Sequence, residues 1–458
     1  MADGRVEDLM SLDRDVARVA GRLVRWRTEL ALDAARDPTL LSNPEDPFES
    51  ERHVAGKSMW DALAGMSLGP AEALHRDALL RWVYALMQAR IGLAFEVAMA
   101  RTKEEPRGRL GGPTPRRVSF RQAWRGVLAA EALGEAGEWL RAAADAATAY
   151  ADFARRRMAR RAVVAERLAL DHWWSPLLAV KPGALRAAAL SVLDSTDDVW
   201  HHVRAEAVGS QPCAEAVLRY AVARDCGEGW PSHISLRWLA DVTGMAAHGV
   251  ELDVPSLPAD LGAASFLRAL YAAGFAARVA LSRSGLPFAL AQEPLFVGAH
   301  LWALTFSSLA IDRGWQRRWL GVASRVAAGH VRRLAYSALF ELRVLAVRVV
   351  LGHDTAAAPE GLFRELCVRL FGRPLDDRLR GAWPSVREDD PARLLAWLQT
   401  RSLVSELREA FDDDWYRNPR AWSRLRELAA RPAHEGVNPT LLEGHARLLA
   451  QAFEGVLG

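Results

Sequence analysis

Apolar residues recur every three or four positions over long stretches of this chain, the spacing of one buried helix face. Convincing period-two alternation, the mark of a half-buried strand, is missing throughout, so the expected fold class is all-α, a large multi-helix body. Residues 1–103 predict an N-terminal helical layer interrupted at Asp37-Pro38 and at Ser42-Asn43-Pro44-Glu45-Asp46-Pro47. Residues 104–117 concentrate proline, glycine and charge without periodic apolar positions, and read as a loop or linker. The Ala-rich stretch 118–170 then predicts one or two long helices, with Trp139, Ala143, Ala146, Tyr150 and Phe153 on their inner side. Shorter helices are expected over 182–193, 197–208, 213–223 and 235–243, completing a middle region of 118–252.

After the bend at Asp253 to Pro258, a C-terminal region of 253–458 predicts helices over 263–282, 294–311, 314–328, 331–351, 361–371, 391–411, 419–430 and 440–456. Pro294 to Ile311 holds 18 residues without a formal charge, near the minimum for a membrane span. Glu293, His300 and Asp312 make it a poor span, and no second segment reads as one. A buried, apolar central helix is favoured. In 331–351, Glu341 and Arg348 lie seven residues apart and so share one side of the helix, while Leu334, Leu345 and their neighbours fill the others, which predicts a mostly buried helix.

The 458 residues carry 59 Lys+Arg against 56 Asp+Glu, a formal net charge of +3, which is no footprint for general nucleic-acid binding. Lys57, Lys103 and Lys181 are the only lysines, a bias that fits a GC-rich bacterial genome and makes arginine the default cation. Met1 to Met10 shows neither a secretory signal nor a transit peptide, so a cytoplasmic location with no membrane is expected. Cys213, Cys226 and Cys367 form no C-x-x-C pair and fit reduced thiols.

Candidate chemistry is sparse. Gly65-Met66-Ser67-Leu68-Gly69 matches G-x-S-x-G, but the nucleophile reading needs a preceding strand where 57–64 reads as helical, and nearby His75 does not alter this. No H-E-x-x-H occurs, and His434-Glu435 lacks the second histidine one turn later. His202 and Glu206, with His201 as a third group, have the spacing of metal ligands on one helix face, although a surface pair is the commoner use. Glu293 and His300 can share a helix face toward a cavity, with a satisfied buried polar pair as the default. Arg155, Arg156, Arg157, Arg160 and Arg161 spread around their helix and predict a solvated, salt-bridging surface. The 17 tryptophans, Trp173-Trp174 and Trp315 with Trp319 among them, are expected mainly to pack helices. No P-loop, dinucleotide G-x-G-x-x-G or EF-hand is found, and no cofactor is expected.

The segment Phe266-Leu267-Arg268-Ala269-Leu270-Tyr271-Ala272-Ala273-Gly274-Phe275-Ala276, the helix around Glu293, Leu370-Phe371-Gly372 and Phe411-Asp412-Asp413-Asp414-Trp415-Tyr416-Arg417-Asn418-Pro419 together resemble the thimet oligopeptidase and oligoendopeptidase F family of zinc metallopeptidases. The resemblance covers the C-terminal half. It implies that the positions of the family's two histidine ligands hold Tyr271 and Phe275, and that of its general-base glutamate holds Ala272, with only Gly274 kept from the motif. Glu293 stands where the third ligand would be. Aromatic rings cannot replace two imidazoles on zinc and alanine cannot activate its water, so hydrolysis is not carried over.

Three functions remain. The first is a non-catalytic protein, a pseudoenzyme, that binds a peptide or protein partner in a peptidase-like cleft with Tyr271, Phe275, Glu293 and His300 on its walls. The second is an enzyme, metal-dependent or otherwise, using other groups such as His201, His202, His233 or His248. The third is a helical-repeat interaction scaffold. The closing Asp412-Asp413-Asp414 and Asn418-Pro419 are read as the start of the next helix, with Trp415 packed in the core.

Overall fold

The computed structural model describes residues 2–36, 45–111, 115–178, 180–209, 212–254, 257, 262–282, 285–354, 361–431 and 442–457. The predicted breaks at Asp37-Pro38 and 42–44, parts of the Asp253 to Pro258 bend, and His434-Glu435 lie outside them. Helix α1 (Ala2–Arg36) buries Leu9, Leu12, Val16, Val19, Leu23, Trp26 and Leu30, one continuous stripe at three- and four-residue spacing. Helix α2 (Lys57–Ala64) precedes Gly65-Met66-Ser67-Leu68-Gly69, so no strand leads into that motif and its serine lacks the turn a nucleophile needs. Helix α3 (Pro70–Glu104) begins with proline at its first turn and Glu72 accepting the Gly69 amide at 2.9 Å. His75 on α3 is buried against Asp13 at 3.1 Å, a structural use of both.

The expected linker contains a hairpin: β1 (Gly108–Leu110) pairs antiparallel with β2 (Arg116–Val118), Gly108 opposite Val118. Three-residue strands are too short to show a period. Gly108 is required because a Cβ there would meet the Ala142 carbonyl at 2.2 Å. A capping box between Ser119 and Gln122 starts α4 (Phe120–Ala129), which packs on α5 (Leu133–Arg167). The predicted break near 194–196 does not occur, and α6 (Pro182–Val208) runs through it. Thr196 turns its hydroxyl back to the Val192 carbonyl at 2.7 Å, and buried Arg343 donates to the Leu193 carbonyl, Thr196 and Asp197, so the polar run is satisfied inside the helix.

Helices α7 (Ala214–Ala221), α8 (Leu236–Val242) and α9 (Ala264–Leu281) follow, then α10 (Phe288–Ala291), whose first amides are capped by Asp13 at 2.8 and 2.9 Å. The uncharged run becomes α11 (Val297–Ser307), extended by a 3-10 turn over Ser308–Ile311, and it is mostly buried as predicted. Among the described residues α3 and α9, rather than the shorter α11, are long and apolar enough to cross a membrane, which corrects the expectation that no other segment would be. Both are packed against other helices here. Helix α12 (Arg313–Trp319) ends at Gly321, whose φ of +65° closes it in the left-handed conformation. The next helix, α13 (Ser324–His353), therefore starts earlier than predicted and is continuous through Gly329. Glu341 on α13 reaches Arg268 at the surface, but Arg348, expected beside it, is largely enclosed and pairs with Asp390.

Helices α14 (Leu362–Phe371), α15 (Asp390–Phe411), α16 (Pro419–Ala430) and α17 (Leu442–Leu457) complete the chain. Asn418, rather than any of the three aspartates, caps α16, its side chain accepting from the Arg420 amide at 2.9 Å. Side chains pack in two cores. The first gathers α1, α3, α5, α6, α14, α17 and most of α13; the second gathers α8, α9, α12, α16, Trp302 and Phe306 of α11, and Trp415. Elements distant in sequence lie together, α6 on α17 and α11 on α15, a pattern unlike a solenoid in which each repeat touches only its neighbours.

Candidate functional site

Helix α9 presents Tyr271 and Phe275 one turn apart on one side, while Leu270, Ala273, Gly274 and Ala277 are buried. Gly274 sits where α9 and α11 touch: a Cβ would lie 2.6 Å from the Trp302 carbonyl and 3.0 Å from the Ala303 Cα. This contact brings His300 of α11 to α9. Its Nδ1 is 2.5 Å from the Tyr271 hydroxyl, its ring 5.2 Å from that of Phe275, and its Nε2 3.7 Å from the carboxylate of Asp389. With Nε2 carrying the proton toward Asp389, Nδ1 accepts from the tyrosine. The Arg393 guanidinium lies 5.7 Å from the centre of the Tyr271 ring.

Burial dominates the protonation of this group. It pushes the Tyr271 hydroxyl up to about 12 and pulls His300 down to about 4, against a smaller opposing pull from Asp389. Burial also works to raise Asp389, but Arg393, His300, Arg387 and Arg348 outweigh it and hold the carboxyl below its ordinary value. Tyr271, His300 and Asp389 therefore form a chain in which the imidazole is neutral at pH 7.

Glu293 is not part of that chain. It precedes Phe296, whose φ is +55°, and its Oε2 accepts from the Gly298 amide at 3.4 Å. Burial pushes it up to about 7, against that amide, Arg81 and Arg278.

Two cavities adjoin the group. One, of about 840 Å³, is lined by Phe275 and His300, by residues of α1, α3, α4, α5 and α13, and by 382–389. The other, of about 660 Å³, is more apolar and lies among α1, α3, Phe288 and Leu295. They share Arg27, Phe275, Pro294, Leu295, Phe296 and Glu388, so they adjoin across these residues as neighbouring compartments of the cleft region. Glu293 and Tyr271 line neither. Between the compartments runs an ion network: Arg27 holds Glu96 at 2.8 and 3.0 Å and Glu388 at 3.3 Å, Arg157 reaches Glu388 at 3.6 Å, and Arg161 also pairs with Glu388.

This corrects the expectation for the five-arginine run. Arg155 and Arg156 pair with Asp152 near the surface as predicted, whereas Arg157 and Arg161 turn inward to the cleft.

His201, His202 and Glu206 lie on exposed positions of α6, where Arg204 donates to Nδ1 of His201 at 3.0 Å and Arg332 pairs with Glu206. Among the described residues no three His, Cys, Asp or Glu side chains are grouped so as to hold a metal ion. His248 stacks on Trp422, and His233 is exposed beside Ser232. Trp174 and Trp315 are buried as packing groups, Trp173 is buried and also lines the more apolar compartment, and Trp319 donates to Tyr416.

No protein-family model matches the sequence and no curated protein matches it. Solved structures do match in fold. A PZ peptidase A structure with an inhibitor superposes at a TM-score of 0.57, with 11% identity over 94% of this chain and 86% of the other. An oligoendopeptidase F from Bacillus anthracis str. Ames gives 0.56 and 11%, covering 94% and 85%. A further oligoendopeptidase F structure gives 0.53 and 10%, covering 94% and 86%. The chain thus has a peptidase-like helical fold. The likeness spans nearly all of it, which corrects the expectation that only the C-terminal half is comparable.

The titration of the site predicts opposite stability limbs. The folded value of His300, about 4, lies below its ordinary 6.5, so stability present above 6.5 is lost as pH falls through that interval, roughly 3 kcal/mol for a shift of that size. Glu293, raised from 4.5 to about 7, contributes stability present below 4.5 that is lost as pH rises through 7. Urea unfolding across this range is expected to show a shallower acid limb in His300→Gln and a shallower limb toward neutrality in Glu293→Gln. An unchanged acid limb in His300→Gln would exclude His300 as its source.

Proposed function

We propose that the chain is a non-catalytic protein that binds a peptide or protein partner in this cleft, resides in the cytoplasm without a membrane contact, and needs no cofactor. The observation that carries this reading is the state of α9: Tyr271, Ala272 and Phe275 occupy the positions that the resemblance gives to two zinc ligands and the general base, beside a cleft of two large compartments. Of these three only Phe275 lines the compartments, and an apolar ring there keeps a recognition surface of a peptidase-like fold without its metal chemistry. One fold neighbour is a structure with an inhibitor, which supports ligand binding by a fold of this kind. Phe275, which lines both compartments, and His300 would contact the ligand, while Tyr271 orients His300 and Glu293 supports the start of α11 from outside the lining.

The test combines three measurements on purified protein: metal content, cleavage of quenched oligopeptides, and calorimetric binding of the same peptides. The expected result is binding without cleavage and without stoichiometric zinc. Near one equivalent of zinc, lost together with peptidase activity in His201→Ala or His202→Ala, would overturn the reading in favour of a metalloenzyme. A second reading, an enzyme without zinc, is favoured by the Tyr271, His300 and Asp389 chain at the cavity edge. It predicts turnover that Tyr271→Phe abolishes.

A further inference from the structure

The larger compartment carries more positive charge than its own carboxylates neutralise. Its lining includes Arg27, Lys103, Arg121, Arg125, Arg157, Arg348 and Arg387 against Glu96, Glu388 and Asp389. The acids are already engaged: Glu96 and Glu388 belong to the network of Arg27, Arg157 and Arg161, and Asp389 faces His300 and Arg393. Arg348 is paired with Asp390 at 2.7 Å, and Arg121 with Glu104. Among the described residues Lys103, Arg125 and Arg387 have no carboxylate within ion-pair distance. They come from three places, the last turn of α3, the face of α4 and the segment before α15, and they converge on one cavity.

Lys103 feels this most. Burial, followed by the charges of Arg121 and Arg387, pulls its ammonium down to about 8. An anion entering the cavity would oppose that strain, whereas a cation would add to it.

The same cavity is lined by rings. Trp124 and Trp383 stack with centroids 5.2 Å apart, and Phe120 and Phe275 also line the cavity. Beyond the ion network the second compartment continues with Trp82, Phe288, Leu86 and Val279. A ligand that fits both parts has negative groups and large apolar groups within a few residues of one another. The volumes suit a short chain and are far too small for a nucleic-acid duplex.

We propose that Lys103, Arg125 and Arg387, with Arg121 beside them, form an anion subsite that receives the carboxylates of an acidic oligopeptide whose apolar side chains occupy the ring-lined remainder of the cleft. This rests on the peptide-binding reading above and specifies which peptides are taken. Arginine and lysine give charge-assisted hydrogen bonds to carboxylates that are stronger than those to neutral amides, which favours the acidic peptide over its neutral analogue.

The test is calorimetric titration of the full chain with three short peptides of one length sharing their aromatic residues: one rich in Asp and Glu with a free C-terminus, its Asn/Gln C-terminal amide, and a Lys counterpart. The acidic peptide is expected to bind about tenfold or more tighter than the amide, and the Lys peptide weakest. That preference should shrink as salt is raised, since the subsite opens to solvent. Arg125→Gln and Arg387→Gln change exposed side chains and should leave the fold intact. Together they are expected to remove the preference for the acidic peptide while leaving affinity for the amide unchanged.

Charge reversal with Arg125→Glu and Arg387→Glu should invert the order of the acidic and Lys peptides. Equal affinity for acidic and neutral peptides, or a preference untouched by both pairs of substitutions, overturns this subsite and leaves peptide binding standing. Binding of inorganic phosphate or a nucleotide with no binding of any peptide overturns both.

Discussion

Trp415→Ala is expected to cost about 3–5 kcal/mol of stability, the range for truncating a fully buried large aromatic. Trp415 is 1% exposed and its ring lies 5.2 Å from Phe306 of α11, in the second core. The turn that carries it is seated tightly: at Gly244, with φ of +74°, a Cβ would meet the Tyr416 carbonyl at 2.0 Å. The surrounding backbone therefore has little room to collapse into the space left by the indole. Thermal and urea unfolding compared with Trp415→Phe measure the effect, the phenylalanine keeping part of the packing. An unchanged melting temperature with lost ligand binding would place this residue on a recognition surface instead.

The second large effect is expected at Arg348. Its guanidinium pairs with Asp390 at 2.7 Å, and Asp390 is fully buried, also accepting the Arg387 amide at 2.7 Å. Burial pulls Arg348 down to about 10 and raises Asp390 above its ordinary value, so each ion depends on the other. Arg348→Met strands the carboxylate in the core, a change that costs about 3–5 kcal/mol. Arg348→Met with Asp390→Leu removes both charges and should recover much of that loss, because the desolvation of two ions disappears with their attraction. Urea unfolding of the single and double variants decides it. A double variant no more stable than the single one would show that hydrogen bonds to the backbone, rather than charge pairing, hold this site.

Helix type and most boundaries were legible because the stripes are long: α9, α14, α15 and α16 begin and end within two residues of their predicted limits. The misplaced boundaries have local causes. At 194–196 a polar run looked like a turn, but Arg343, a residue some 150 positions away, satisfies it. At 321–331 two glycines compete, and only Gly321 takes the left-handed conformation that stops a helix.

Of the candidate site, the pairing of Tyr271, Phe275 and His300 follows from a helix spacing and a close helix contact at Gly274. Their partner Asp389 and the cations of the cleft could not be read in advance. Lys103 lay next to a charged stretch that looked like a solvated linker, and Arg157 and Arg161 were masked by three neighbours of the same kind. A local signal existed in Lys103 itself, a lysine in a chain that otherwise uses arginine almost everywhere. Which cations turn inward is set by tertiary packing, and periodicity is blind to it.

The path of α13 bears on how such measurements combine. Ala327 and Leu334 belong to one core and Leu339 to Val350 to the other, all on one unbroken helix. Helical hydrogen bonds propagate residue by residue, so melting either core would fray the rod that supports the other. The two cores share a spine, and the free energies lost at Trp415 and at Arg348 are drawn from a single cooperative reserve rather than from two independent ones.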